Sequence, residues 1–118
     1  MWVEFYVGLE SLILEKVSKE ILSWPGVTTG PHRFGGTEFR VGKREMGHIH
    51  GDKLADLPFP MQVRNQLIES GRTLPHHIVP ESGWVSKWIR GEEDISEVVE
   101  LFTMQYKRLN SQDAIFSN

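Results

Sequence analysis

The sequence predicts an α+β domain, a largely antiparallel sheet of about five or six strands with helices packed on one face. Three observations predict it. Apolar residues recur at spacings of three and four near both ends of the chain. Extended, alternating segments fill the middle. The turns between those segments are short and rich in Gly and Pro, which joins neighbouring strands as hairpins. The order reads helix, three or four strands, helix, two strands, helix. The 118 residues fit one domain spanning 1–118.

The first helix is carried by Leu9, Leu12, Ile13, Val17, Ile21 and Trp24, with Lys16, Lys19 and Glu20 between them. Pro25-Gly26 stops it. Val27–Arg33 is read as a strand weakened by Gly30 and Pro31. Thr37–Val41 and Arg44–His50 are extended and joined by Gly42-Lys43, a two-residue hairpin loop. Leu54–Phe59 adds a further strand. Gln62–Ser70 is a short helix with Val63 and Leu67 on one face and Gly71 as its stop. Leu74–Val79 and Trp84–Arg90 form a second hairpin around Pro80-Glu81-Ser82-Gly83. In the last helix, Glu92, Glu93 and Asp94 suit the positive end of the dipole. Its buried stripe is Ile95, Val98, Phe102, Tyr106 and Leu109, and residues 111–118 are expected to fray.

Composition narrows the function. Charged residues are 25% of the chain and the net charge is −3, so a phosphate backbone is not an expected partner. There is no cysteine, which excludes disulfides and thiolate ligands and fits a reducing compartment. No apolar run has the roughly 18 residues of a membrane span. The apolar start, Met1–Gly8, contains Glu4 and does not read as a secretory signal. A cytoplasmic protein is expected, with neither nucleic acid nor membrane as partner, and a homodimer is compatible with the pattern. P-loop, dinucleotide and nucleophile-elbow motifs are absent.

The concentrated chemistry is histidine, since four of the five lie between His48 and His77. With Gly42-Lys43 as the loop, Val41 pairs with Arg44, Arg40 with Glu45 and Phe39 with Met46. One face then carries Phe39, Val41, Met46, His48 and His50, with the two imidazoles roughly 7 Å apart. Arg44 joins that face as a candidate anion holder. Arg40 and Glu45 form a surface ion pair on the other. Strand parity separates His76, with Ile78, Val85 and Ile89, from His77, with Val79, Trp84 and Trp88.

Three readings stay open for the cluster. The histidines are structural, held by backbone or carboxylate. Alternatively they line a small-molecule pocket as acid, base or donor. In the third reading His48, His50 and a later histidine hold a divalent metal. Trp84 and Trp88 are read as core or pocket floor. Asp52 and Asp56 are turn residues, or ligands and partners that orient an imidazole.

The run Arg44-Glu45-Met46-Gly47-His48-Ile49-His50 resembles the small luciferase domain family, which includes the luciferase of bioluminescent fungi and short bacterial proteins of unassigned role. Gly71 followed by His76, Gly83-Trp84-Val85 and the helix Glu92–Tyr106 extend the resemblance over Gly36–Leu109. It implies His76 rather than His77 as the functional residue, and an oxygenase-like activity on a hydroxylated pyrone with no added cofactor. Residues 51–60 are only loosely similar, and His77 stands where the family has proline. The fungal proteins also carry a long N-terminal part not seen in this sequence, so light emission is not expected. The resulting expectation is a small-molecule-binding domain, an oxygenase-like enzyme with either no cofactor or a divalent metal. His48, His50 and His76 are its catalytic residues, and Arg44, Asp52, Trp84 and Trp88 touch the ligand. His48→Ala is expected to abolish binding with melting nearly unchanged. The alternative is an interaction or dimerisation module with structural histidines.

Overall fold

The computed structural model describes residues 12–117. Helix α1 (Leu12–Leu22) is followed by β1 (Val27–Pro31), β2 (Thr37–Val41), β3 (Arg44–His50) and β4 (Leu54–Pro58). Then come α2 (Met61–Glu69), β5 (Leu74–Pro75), β6 (Trp84–Trp88), a 3-10 turn (Glu92–Asp94) and α3 (Ile95–Ser117). The six strands form one antiparallel sheet in the order β1-β2-β3-β4-β6-β5. The α+β arrangement expected from the periodicity is the one found. Leu9, expected in the first helix, lies outside the described residues. The segment expected to fray from Ser111 onward has helical backbone as far as Ser117, and Asn118 lies outside the described residues.

The core lies between one sheet face and the helices. Val17 and Ile21 of α1 and Val98, Leu101, Phe102 and Leu109 of α3 pack with Phe39, Val41, Ile49, Ala55, Leu57 and Val85 of the sheet. The spacing of these helical positions puts them on one stripe, and burial of that stripe holds the layers together. Phe39 and Phe102 meet edge to face at 5.5 Å, a geometry worth about 1 kcal/mol beyond its buried area. Tyr106 donates its hydroxyl to the Pro25 carbonyl at 2.6 Å, tying the end of α1 to α3.

The first hairpin departs from simple alternation. Val41 pairs with Arg44 and Arg40 with Glu45, as expected, but Phe39 then lies opposite Gly47, not Met46. One extra residue on β3 forms a β-bulge. Met46 stays in the core, fully buried. Everything after it changes face, because a one-residue slip reverses the pleat. Gly47 now faces the helices, and a Cβ there would come within 2.7 Å of the Asp56 carbonyl and 3.2 Å of the Phe102 ring.

The second hairpin is shorter than expected. Only Leu74 and Pro75 pair with β6, opposite Ser86 and Val85. Residues 76–83 leave the sheet as a loop, because Pro75 cannot donate to the ladder and the His76 ring draws the following backbone into a bend. Ile78 and Val79 both donate their N–H to His76 Nδ1, each at 3.1 Å. No helix among the described residues is long and apolar enough to cross a membrane.

Candidate functional site

The bulge turns His48 and His50 to the face without helices, which corrects the expectation that they share the face of Phe39 and Val41. His48 pairs with Glu38 on one side and with Asp56 on the other. Asp56 pairs in turn with Ser86. Alternation therefore lines up Glu38, His48, Asp56 and Ser86 across four strands. Trp84 and Trp88 lie two residues to either side of Ser86 on the same face. The β1–β2 loop (residues 32–36) and the β5–β6 loop (residues 76–83) rise over this face and leave a cleft of about 370 Å³ between them. The cleft is walled by imidazoles, Trp84 and the exposed Phe34 and Ile78.

All five histidines meet here. His50 Nε2 lies 3.1 Å from Asp56 Oδ2, His48 Nε2 3.4 Å and His76 Nε2 3.5 Å from the same oxygen. His77 Nδ1 lies 3.6 Å from Oδ1. His32, whose ring stacks on His48 at 3.9 Å, completes the group. Asp56 itself is fully buried. A buried carboxylate is stable only when its oxygens accept enough hydrogen bonds or face positive charge. Ser86 donates its hydroxyl to Oδ1 at 2.7 Å, and the imidazoles supply the rest.

The hydrogen bonds assign roles to the rings. His48 Nδ1 is 2.7 Å from Glu45 Oε2, so His48 bridges two carboxylates. Burial works against its charge, but the bonds to Asp56 and Glu45 outweigh it and raise its pKa to about 9. The pKa of Asp56 is pushed up by burial, yet ends below its ordinary value because His48 and Ser86 bond to the ionised form. His76 goes the other way: burial lowers its pKa, and the nearby His77 and His48 add to that against the pull of Asp56. Because its Nδ1 accepts two backbone bonds, His76 presents Nε2–H as a donor. His32 does the same, accepting the Phe34 N–H at 3.2 Å on Nδ1. The Ser86 oxygen, having given its proton to Asp56, accepts from the His77 backbone N–H at 3.3 Å and from Nδ1–H at 3.2 Å. That leaves Nε2 of His77 as the basic atom.

Sequence reasoning placed several residues differently. His76 and His77 are not alternatives, since the loop brings both to Asp56. Arg44 is on the helix face opposite Val41, where its charge, after burial, lowers the pKa of Arg108. It does not join the cluster. Asp52 accepts the Leu14 N–H at 3.2 Å near the start of α1 and serves that helix end. Glu45 is not the partner of Arg40, whose guanidinium binds Glu38 instead. Trp84 does face the cleft, 5.3 Å from the His48 ring. Trp88 sits at its margin, half exposed and 6.3 Å from His77. His32, Glu38 and Ser86 were missed. The strand register brings in Glu38 and Ser86, and the β1–β2 loop brings in His32.

Among the described residues, three groups have donor atoms close enough to share an ion: His32 with Glu45 and His48, His48 with His50 and Asp56, and Asp56 with His76 and His77. The luciferase domain family model matches residues 43–105, more than half of the chain, and takes in Glu45, Asp56, Ser86 and every histidine of the cluster but His32. Among curated proteins and among solved structures nothing matches.

Proposed function

The chain belongs to the luciferase domain family, and from that premise we propose that its cleft binds a small, flat, hydroxylated molecule and removes the hydroxyl proton, as the first step of an oxygenase-like reaction. One observation carries this reading: a single buried carboxylate, Asp56, orients four imidazoles on a cleft whose other walls are aromatic and aliphatic. Flat apolar walls suit a ring, and a few convergent polar groups fix its orientation.

His77 is the proposed base. Its Nδ1–H is fixed by Ser86, which is fixed by Asp56, so Nε2 is the atom that takes the proton. The His76 Nε2–H donates to the oxyanion that forms, a contact that strengthens as charge develops. The anion then passes electrons to molecular oxygen, the co-reactant that membership of the family supports. Arg33, at the rim of the cleft, takes the place proposed for Arg44 in meeting a negative group.

The test is a panel of catechols, flavonols and hydroxypyrones, followed by thermal shift and by the absorption spectrum of the bound ligand. The expected ligand raises the melting temperature and shows the spectrum of its ionised form at a pH where it is neutral in solution. At one hundred times its dissociation constant it adds about 2.7 kcal/mol. His77→Ala keeps binding and loses the ionised spectrum. No stabilising ligand in the panel, or one bound in its neutral form, counts against the proposal. A molecular mass that doubles with concentration would favour the interaction-module reading instead.

A further inference from the structure

We propose that His48 Nε2, His50 Nε2 and Asp56 Oδ2 are a binding site for one first-row divalent transition-metal ion, with Asp56 in the place of the later histidine expected from the sequence. The geometry is that of a ligand set. Metal–nitrogen and metal–oxygen bonds of roughly 2.0–2.2 Å put neighbouring donor atoms about 3.0–3.5 Å apart. The two imidazole nitrogens lie 3.4 and 3.1 Å from Asp56 Oδ2. One donor atom from each of the three residues falls within 4.8 Å of the others, so the set can close around one ion.

The surroundings are those that hold a ligand set in place. A metal-bound imidazole donates its other N–H to a carboxylate or carbonyl. His48 has that arrangement, with Nδ1 2.7 Å from Glu45 Oε2. Asp56 has its Oδ1 occupied by the Ser86 hydroxyl at 2.7 Å, which presents Oδ2. His76 is excluded on the same logic. Its Nδ1 accepts two backbone N–H groups, so its Nε2 carries the proton and has no lone pair for an ion. It is placed instead to donate to whatever fills an open coordination position.

Charge points the same way. Glu38 is paired with Arg40, but among the described residues the ion partners found for Glu45 and Asp56 are imidazoles. Once an ion displaces the proton from His48 Nε2 the rings are neutral, and the two negative charges that remain are balanced by a dication. Two imidazoles and one carboxylate with open positions toward a cleft form the donor set of non-haem iron(II) sites, and cobalt(II) and zinc(II) also fit it.

Cobalt(II) added to the full chain without oxygen or organic ligand tests the site, read by visible absorption and equilibrium dialysis. This readout is separate from the substrate reading, which stands or falls without it. The expected result is one ion per chain. His50→Ala and Asp56→Asn weaken it by at least about 100-fold, and Glu45→Gln by about 10- to 100-fold. His77→Ala leaves affinity within about threefold, since that ring is not a ligand. Wild-type protein that takes up no ion, or several equally weak ones, overturns the proposal. So does an equal loss in His77→Ala and His50→Ala. If Asp56→Asn does not fold, the half-exposed His50 decides the matter.

Discussion

His48 holds a proton between Glu45 and Asp56, and its contribution to stability depends on pH with a definite sign. Its folded pKa of about 9 is above the ordinary 6.5. The stabilisation is therefore complete below about pH 6.5 and is lost as pH rises through 9. A shift of that size corresponds to roughly 3 kcal/mol as an upper figure. Urea unfolding of the wild type should show stability falling between pH 7 and 9.5, and His48→Gln should lack that slope. The same variant should lose about 3 kcal/mol near neutrality, because it leaves two carboxylates without their shared partner. Unchanged melting, the expectation from the sequence, belonged to a histidine on an open pocket wall; this ring is only 7% exposed. Asp56 has the opposite sign. Its lowered pKa gives stability that is present above its unfolded value near 3.9 and fades as pH falls. The pairing of His48 with His50 was legible as a period of two. His32 was not, because nothing local marks a histidine sixteen residues upstream as its stacking partner.

Strand elements decide which face the chemistry occupies. The hairpin at Gly42-Lys43 was readable from its loop, and so were the first two paired positions. The bulge at Met46 was not, since an apolar residue followed by Gly fits either register. The same bulge moved Arg44 and the two histidines to opposite faces. Gly47→Ala tests this directly. Its Cβ would press on the Asp56 carbonyl, the Leu57 side chain and the Phe102 ring, so a loss of about 1–3 kcal/mol is expected in urea unfolding. In the register without a bulge Gly47 faces away from the core and the change is close to neutral. Gly36 plays the corresponding part in the β1–β2 loop. It has φ +86, and a Cβ there would lie 2.6 Å from the Ile49 carbonyl and 3.2 Å from His50 Nδ1. Gly36→Ala should displace the loop that carries His32, read as a shift of the His32 and His48 ring resonances with most other signals unmoved.

At the scale of the molecule, a single sheet separates the apolar core from the chemistry. One face holds Phe39, Ile49, Leu57 and Val85 against α1 and α3, and the other holds the imidazoles and Asp56. The apolar side was legible from periodicity because each element needs only its own pattern to show a buried stripe. The polar side depends on partners from six separate segments, and only the order β2-β3-β4-β6 puts Glu38, His48, Asp56 and Ser86 in one row. Phe102→Ala should therefore cost about 3–5 kcal/mol in unfolding while the histidine couplings persist.

The most direct measurement is a long-range nitrogen–proton correlation spectrum of the five imidazoles in wild type and Asp56→Asn. Expected are Nε2–H forms for His32 and His76, an Nδ1–H form for His77, and a doubly protonated His48 at pH 7. In Asp56→Asn the signals of His48, His50, His76 and His77 should move together. Four rings that ignore the substitution, or a His48 that is neutral at pH 7, would contradict an Asp56-centred cluster.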